Sequence, residues 1–254
     1  DSPSELIYDE FENMIFEGHP LGHNILGKSE RLRKYTTGDA QRFTKKYYRP
    51  ENAVFFIYGD INFERAVRLI QKATNDFEEC YPLIDVKQSL VMPEYKAREL
   101  VVEKNTHQAH VMIGTRAYNI HDERRITLYL LNNILGGPGM NSRLNLSLRE
   151  RHGLVYSVES SMTSYSDTGI WCIYFGCDGH DVNKCIKLVR REMDKFINKP
   201  MTSSQLDAAK KQIKGQIGVA CDNKENFALD FGKSFLHYGW EKDVTTLYKN
   251  IDKV

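Results

Sequence analysis

Two predicted strands, Leu154 to Thr163 and Thr168 to Cys177, flank the polar triplet Tyr165-Ser166-Asp167, and this pairing constrains the fold more than any other feature. So short a gap allows a hairpin but no parallel crossover, which needs a dozen residues or more. Two further strands are predicted before it, about Arg98 to Glu103 and Ala109 to Thr115, followed by a helix from about Asp122 to Leu135. A short helix is predicted from Asn141 to Arg151. Helical spacing returns three times after Cys177, over roughly 180–198, 203–220 and 224–238, with Thr202 and Gln205 placed as a capping box. Strands and helices come in blocks rather than in strict alternation, which predicts antiparallel pairing and an α+β fold rather than a doubly wound sheet.

The N-terminal third reads differently. Ser2, Pro3 and Glu5 form a helix-start signature, and Leu6, Ile7, Phe11, Met14 and Ile15 recur at helical spacing until Gly18-His19-Pro20 breaks it. A second helix is predicted from about Gly38 to Tyr48, ended by Arg49-Pro50. Ala53 to Tyr58 is an unbroken apolar run closed by Gly59-Asp60, which predicts a strand buried on both faces. Asn62 then caps a helix running to about Asp76. Residues 78–97 lose periodicity and collect Pro82 and Pro93, so they read as a linker between a domain within 1–77 and a domain within 98–254.

Charge excludes several classes. Lys plus Arg number 35 against 34 Asp plus Glu, a net charge of +1 that exerts no global pull on nucleic acid or anionic lipid. No apolar stretch approaches the length of a membrane span. The five cysteines include no C-x-x-C pair, and Cys172 and Cys177 stand at an odd separation on one strand, so they should face opposite ways and share no metal. The chain opens at Asp1 without an initiator Met and stops at Val254 without a terminal cap, so a piece of a longer protein is expected. No residue pattern points to a compartment.

Metal and acid–base chemistry would first be sought among the eight histidines. Only His19 and His23 have the i, i+4 spacing of a helical zinc motif, and Pro20 and Gly22 between them forbid the helix. His107 and His110 should lie on opposite faces of a strand start; the others are isolated. No metal ligand set is predicted. The run Gly136-Gly137-Pro138-Gly139 follows a helix instead of opening one, which makes it a helix stop and connector, not a phosphate loop. Its glycines also suit backbone that passes close to a bound peptide. Arg149, in the last turn of the short helix, and Tyr156, early in the next strand, are seven residues apart. They admit two readings. An arginine near a helix C-terminus and a tyrosine in a strand are ordinary structural choices. The same two groups on one edge would offer hydrogen-bond donors to a peptide carbonyl becoming an oxyanion.

The stretch Gly136-Gly137-Pro138-Gly139-Met140-Asn141-Ser142-Arg143-Leu144, continued by Leu148-Arg149-Glu150-Arg151-His152-Gly153-Leu154-Val155-Tyr156-Ser157, resembles the signature of the M16 metallopeptidases, the pitrilysin, insulysin and mitochondrial processing peptidase family. Phe16-Glu17-Gly18-His19-Pro20-Leu21-Gly22 and Tyr47-Tyr48-Arg49-Pro50-Glu51-Asn52-Ala53 resemble the segment after that family's metal site. The resemblance implies two-layer α/β domains, with 1–77 the end of a zinc-bearing domain and 98–254 most of a second, substrate-facing one. It implies zinc in the parent enzyme, held by an H-x-x-E-H helix and a later Glu, with no cofactor in the residues present here. It further implies that Arg149 and Tyr156 bind the scissile carbonyl, and that Gly136, Gly137 and Gly139 lie near substrate. Expected partners are a peptide, the zinc-bearing segment of the same chain, and a second M16 subunit or a homodimer. The alternative it leaves open is a non-catalytic partner subunit or scaffold.

Overall fold

The hairpin forms as its sequence dictates. In the computed structural model, which describes residues 2–76, 92–239 and 243–254 (the side chain of Glu51 excepted), β2 (Val155–Ser164) and β3 (Gly169–Cys177) pair antiparallel. On its other edge β3 pairs antiparallel with β1 (Ala109–Ala117), from Ala109 opposite Cys177 to Ala117 opposite Gly169. The sheet order is therefore β1-β3-β2, with the most apolar strand in the middle. The fold is α+β, an antiparallel sheet packed by helices.

Alternation along β3 sends Ile173, Phe175 and Cys177 to one face and Ile170 and Cys172 to the other. The two cysteines thus enter separate cores, as their spacing predicts, and both are free thiols. On the first face the strand residues meet Leu135 of α5 (Arg124–Gly136) and Leu188 and Val189 of α6 (Val182–Asn198), together with Leu144 and Leu148. Each such large side chain, once buried, contributes about 1.5–3 kcal/mol. On the second face Ile170 and Cys172 meet Phe11, Ile15 and Phe16, from α1 (Pro3–Ile15) and the residue after it. Polar anchors flank both cores: Trp171 Nε1 and Ser160 Oγ both donate to the buried Asn132 Oδ1, at 3.0 and 2.5 Å, and Arg116 donates to the carbonyl of Ile15 at 2.9 and 3.0 Å.

The described residues fall into two compact units, one within Asp1–Leu26, Leu90–Ile213 and Tyr248–Val254, the other within Gly27–Ser89 and Lys214–Leu247. The grouping cuts across sequence order, since α1 packs on β1 although it belongs to the N-terminal segment. The second unit contains α2 (Ser29–Leu32), α3 (Thr37–Tyr47), α4 (Phe63–Ala73) and α8 (Lys224–Tyr238). Thr36 and Asp39 cap α3 reciprocally, and Asn62 caps α4. α7 (Ser203–Asp222) starts at the Thr202/Gln205 capping box, where each residue's side chain accepts the other's backbone N–H. α9 (Val244–Asp252) ends the chain.

Three local expectations fail. Ala53–Tyr58 forms no strand and is not doubly buried: Phe56 stacks on Phe231 with ring centroids 4.7 Å apart, while Phe55 is 58% exposed. Arg98–Glu103 forms none either, and Val101 is 75% exposed. Both runs have the right composition, but a strand is a pair, and no neighbouring backbone among the described residues offers either run a ladder. Ser2 precedes α1 without capping it, because its hydroxyl bonds Ser4 Oγ at 2.7 Å instead. Most of the linker read at 78–97 lies outside the described residues.

Candidate functional site

Arg149 and Tyr156 both sit on irregular backbone. The segment Asn145–Glu150 is a π-helix, and the amide of Arg151 reaches the carbonyl of Leu146, five residues back, at 3.1 Å. Such widened turns recur at functional sites because they displace a side chain from regular helical spacing. Arg149 lies within this turn, exposed, and no carboxylate or other acceptor engages its guanidinium among the described residues. Gly153 closes the turn at φ +60°, a left-handed conformation that favours glycine. Its amide bonds the carbonyl of Arg149 at 2.9 Å, and the amide of Leu154 bonds that of Leu148 at 3.0 Å. The chain is thereby folded directly into β2.

Tyr156 is the extra residue of a β-bulge. Val155 faces Cys177 and Ser157 faces Gly176, so nothing on β3 is left to pair with Tyr156. A bulge turns one side chain out of the alternating pattern and is a common means of aiming a residue at a site. Tyr156 is accordingly 61% exposed at the strand start, and its hydroxyl donates to Asp178 Oδ1, just past the end of β3, at 3.3 Å.

The glycines divide. Gly137 caps α5. A Cβ on Gly136 would come within 2.7 Å of the backbone N and Cβ of Ser160 on β2, and one on Gly137 within 2.6 Å of the Asn133 carbonyl oxygen. Close packing of α5 on the sheet accounts for Gly136, and the tight exit from the last turn of α5 accounts for Gly137. Gly139 instead borders Asn141 and Gln212, whose carboxamides bond each other reciprocally at 3.0 and 3.2 Å. These two line a pocket of about 240 Å³ with Asn133, Ile134, Ser142, Arg143, Met201, Gln205, Ala208 and Ala209. Sequence reading did not find this pocket, whose walls come from segments some 60 residues apart.

Three of the histidines serve the fold. His19, buried, accepts the amide of Leu21 at Nδ1 (3.3 Å), so Nε2 carries the proton and donates to Asp167 at 3.2 Å. His110 Nδ1 bonds Tyr174 at 2.8 Å, and His152 Nδ1 donates to the carbonyl of Ser147 at 2.6 Å. Among the described residues one trio of ligand-type side chains lies close enough to share an ion: Asp178, His180 and Asp181, with their ligand atoms within 4.8 Å of one another. It is a single surface turn at the start of α6, with His180 78% exposed. It lacks the paired histidines and flanking glutamate of the family's helical zinc motif, so these residues do not fit the catalytic metal and no chemical step is derived through it. Among the described residues, no helix is long and apolar enough to cross a membrane.

The chain belongs to the M16 peptidase family; the matching region, residues 34–213, is described as the peptidase M16 inactive domain. Relatives named "uncharacterized zinc protease" occur in Streptomyces coelicolor, 29% identical across the whole chain and 56% of that protein, and in Bacillus subtilis, 27% identical across the whole chain and 61% of that protein. The chain thus spans little more than half of these relatives. Its fold matches an M16 inactive domain from Pseudomonas fluorescens (TM-score 0.76, 23% identity, 99% of this chain and 62% of that one). It also matches a chain of complex III from Candida albicans (TM-score 0.83, 17% identity, 100% of this chain and 61% of that one).

Proposed function

We propose that this chain is the substrate-facing part of a zinc-dependent endopeptidase that cleaves peptides or unfolded polypeptides. In this reading a companion zinc-binding segment or subunit supplies the metal chemistry. This chain supplies peptide-binding surface and two hydrogen-bond donors, the Arg149 guanidinium and the Tyr156 hydroxyl, to the scissile carbonyl as negative charge develops on its oxygen. The observation that carries the proposal is that both groups stand exposed on irregular backbone, one in a π-turn and one on a bulge, although neither is needed by either core. The relatives' names and the M16 resemblance support the same reading.

The test is turnover of a fluorogenic peptide by the longer protein. Tyr156→Phe, which removes only the hydroxyl, should lower kcat by about 10²-fold with little change in KM. Unchanged kinetics would remove Tyr156 from the reaction. A second reading is a non-catalytic partner subunit, favoured by the description of the matched region as an inactive domain. It predicts that the longer protein cleaves nothing alone and gains activity only with a zinc-bearing partner.

A further inference from the structure

We infer that the pocket between the end of α5, residues 141–143 and α7 binds a carboxylate carried by a peptide. One of its walls, at Ser142 and Arg143, holds polar groups with nothing to bond. Ser142 is 4% exposed, and its hydroxyl has no hydrogen-bond partner. A buried hydroxyl left so is costly, and a ligand acceptor would relieve it. Arg143 lies beside it, half-buried, its guanidinium carbon 3.9 Å from the centroid of the Phe196 ring. Stacking occupies the face of a guanidinium and leaves the N–H groups along its edge free to donate. Among the described residues those donors meet no acceptor, and none of the residues lining the pocket is acidic. Arg143 therefore lines the pocket with no counter-charge among the other lining residues.

A carboxylate answers both deficits, since it only accepts, and its two oxygens can take the arginine fork and a hydroxyl together. The remaining lining separates it from a bare inorganic anion. Ile134, Met201, Ala208 and Ala209 form an apolar wall suited to a methylene stem, and the Asn141–Gln212 amide pair offers peptide-like groups beside it. At about 240 Å³ the space holds one residue, not a longer segment. The ligand is thus an acidic side chain or a chain's C-terminal carboxylate. Its attachment to a peptide rests on the proposed function; the preference for a carboxylate over an amide does not.

The experiment is calorimetric titration of the 254-residue chain with three N-acetylated pentapeptides: an alanine peptide with a central Glu and an amidated end, its Gln counterpart, and an all-alanine peptide with a free C-terminus. The Glu peptide, the free-end peptide or both should bind about ten-fold or more tighter than the Gln peptide, and whichever binds identifies the source of the carboxylate. Arg143→Gln should bring binding down to the Gln-peptide level. Ser142→Ala should weaken it several-fold without lowering Tm, since it only deletes an unpartnered hydroxyl. The inference is overturned if no carboxylate peptide exceeds the Gln peptide, or if the preference survives both substitutions. Tyr156→Phe should leave these affinities unchanged, so the pocket can fail while the proposed reaction stands, and the reverse.

Discussion

The Tyr156 hydroxyl and Asp178 Oδ1 are 3.3 Å apart, a bond between the one unpaired residue of β2 and the residue that follows the last paired residue of β3. The bulge releases the tyrosine from the ladder, and the aspartate gives the released ring a direction. The hydroxyl has a single proton, which Asp178 accepts here, so the donor role proposed for Tyr156 requires that this bond open.

In the longer protein, Asp178→Ala frees that proton and, under the proposed reaction, should hold or raise kcat for a fluorogenic peptide rather than lower it. Added to Tyr156→Phe it should have almost no further effect, because the two act through one hydroxyl. A further loss there would mean that Asp178 acts elsewhere.

The glycines of the α5 connector should differ sharply in tolerance. Gly136→Ala forces a methyl against the Ser160 backbone, an overpacking that costs about 1–3 kcal/mol and should appear as a lower urea midpoint. Gly139→Ala meets only the ends of Asn141 and Gln212, which can rotate away, so its midpoint should move little.

Thiol reactivity should follow burial. Burial holds the Cys177 thiol up to about 12, with the neighbouring Cys185 adding to the shift, and burial likewise raises Cys172 and Cys185. Only the thiolate reacts, so these three stay protonated and shielded at neutral pH, whereas Cys221 is partly exposed. Brief iodoacetamide treatment of the native chain followed by peptide mapping should find Cys221 alkylated ahead of Cys172, Cys177 and Cys185.

Glu12 gives a pH signature. Burial raises its carboxyl above the ordinary glutamate range, the nearby Asp9 adds to this, and the Tyr165 hydroxyl bond at 3.4 Å opposes it. The folded chain then binds this proton more tightly than the unfolded chain, so stability falls as pH rises from about 4.5 through the folded value. Glu12→Gln keeps an acceptor for Tyr165 and removes that slope. Urea midpoints of variant and parent should converge below about pH 4, with the variant the more stable at pH 7.

Features that depend on nearby residues were legible in the sequence. The hairpin, the helices on either side of it and the Thr202/Gln205 cap follow from spacing and capping chemistry within a few residues. α9 was missed although Asp243 caps it, accepting from the amides of Thr245 and Thr246, because nine residues carry little periodicity. Ala53–Tyr58 and Arg98–Glu103 were misread for the opposite reason: composition records apolar character but not whether a partner strand exists. Arg149 and Tyr156 were singled out by the M16 resemblance, since their spacing alone also admits an ordinary structural reading. The bulge under Tyr156 was not legible, since it is a property of register with β3, and Asp178 lies 22 residues away.

Ala53–Tyr58 also bears on how the chain behaves in concentrated solution. Six consecutive residues without charge, proline or glycine, left unladdered and largely open to solvent, are the kind of segment that stacks with copies of itself. Purified material should therefore be limited by self-association seeded at that hexapeptide rather than by loss of either core. A lysine at Phe55 should raise the concentration at which thioflavin-positive aggregates appear while leaving the circular dichroism of the sheet unchanged.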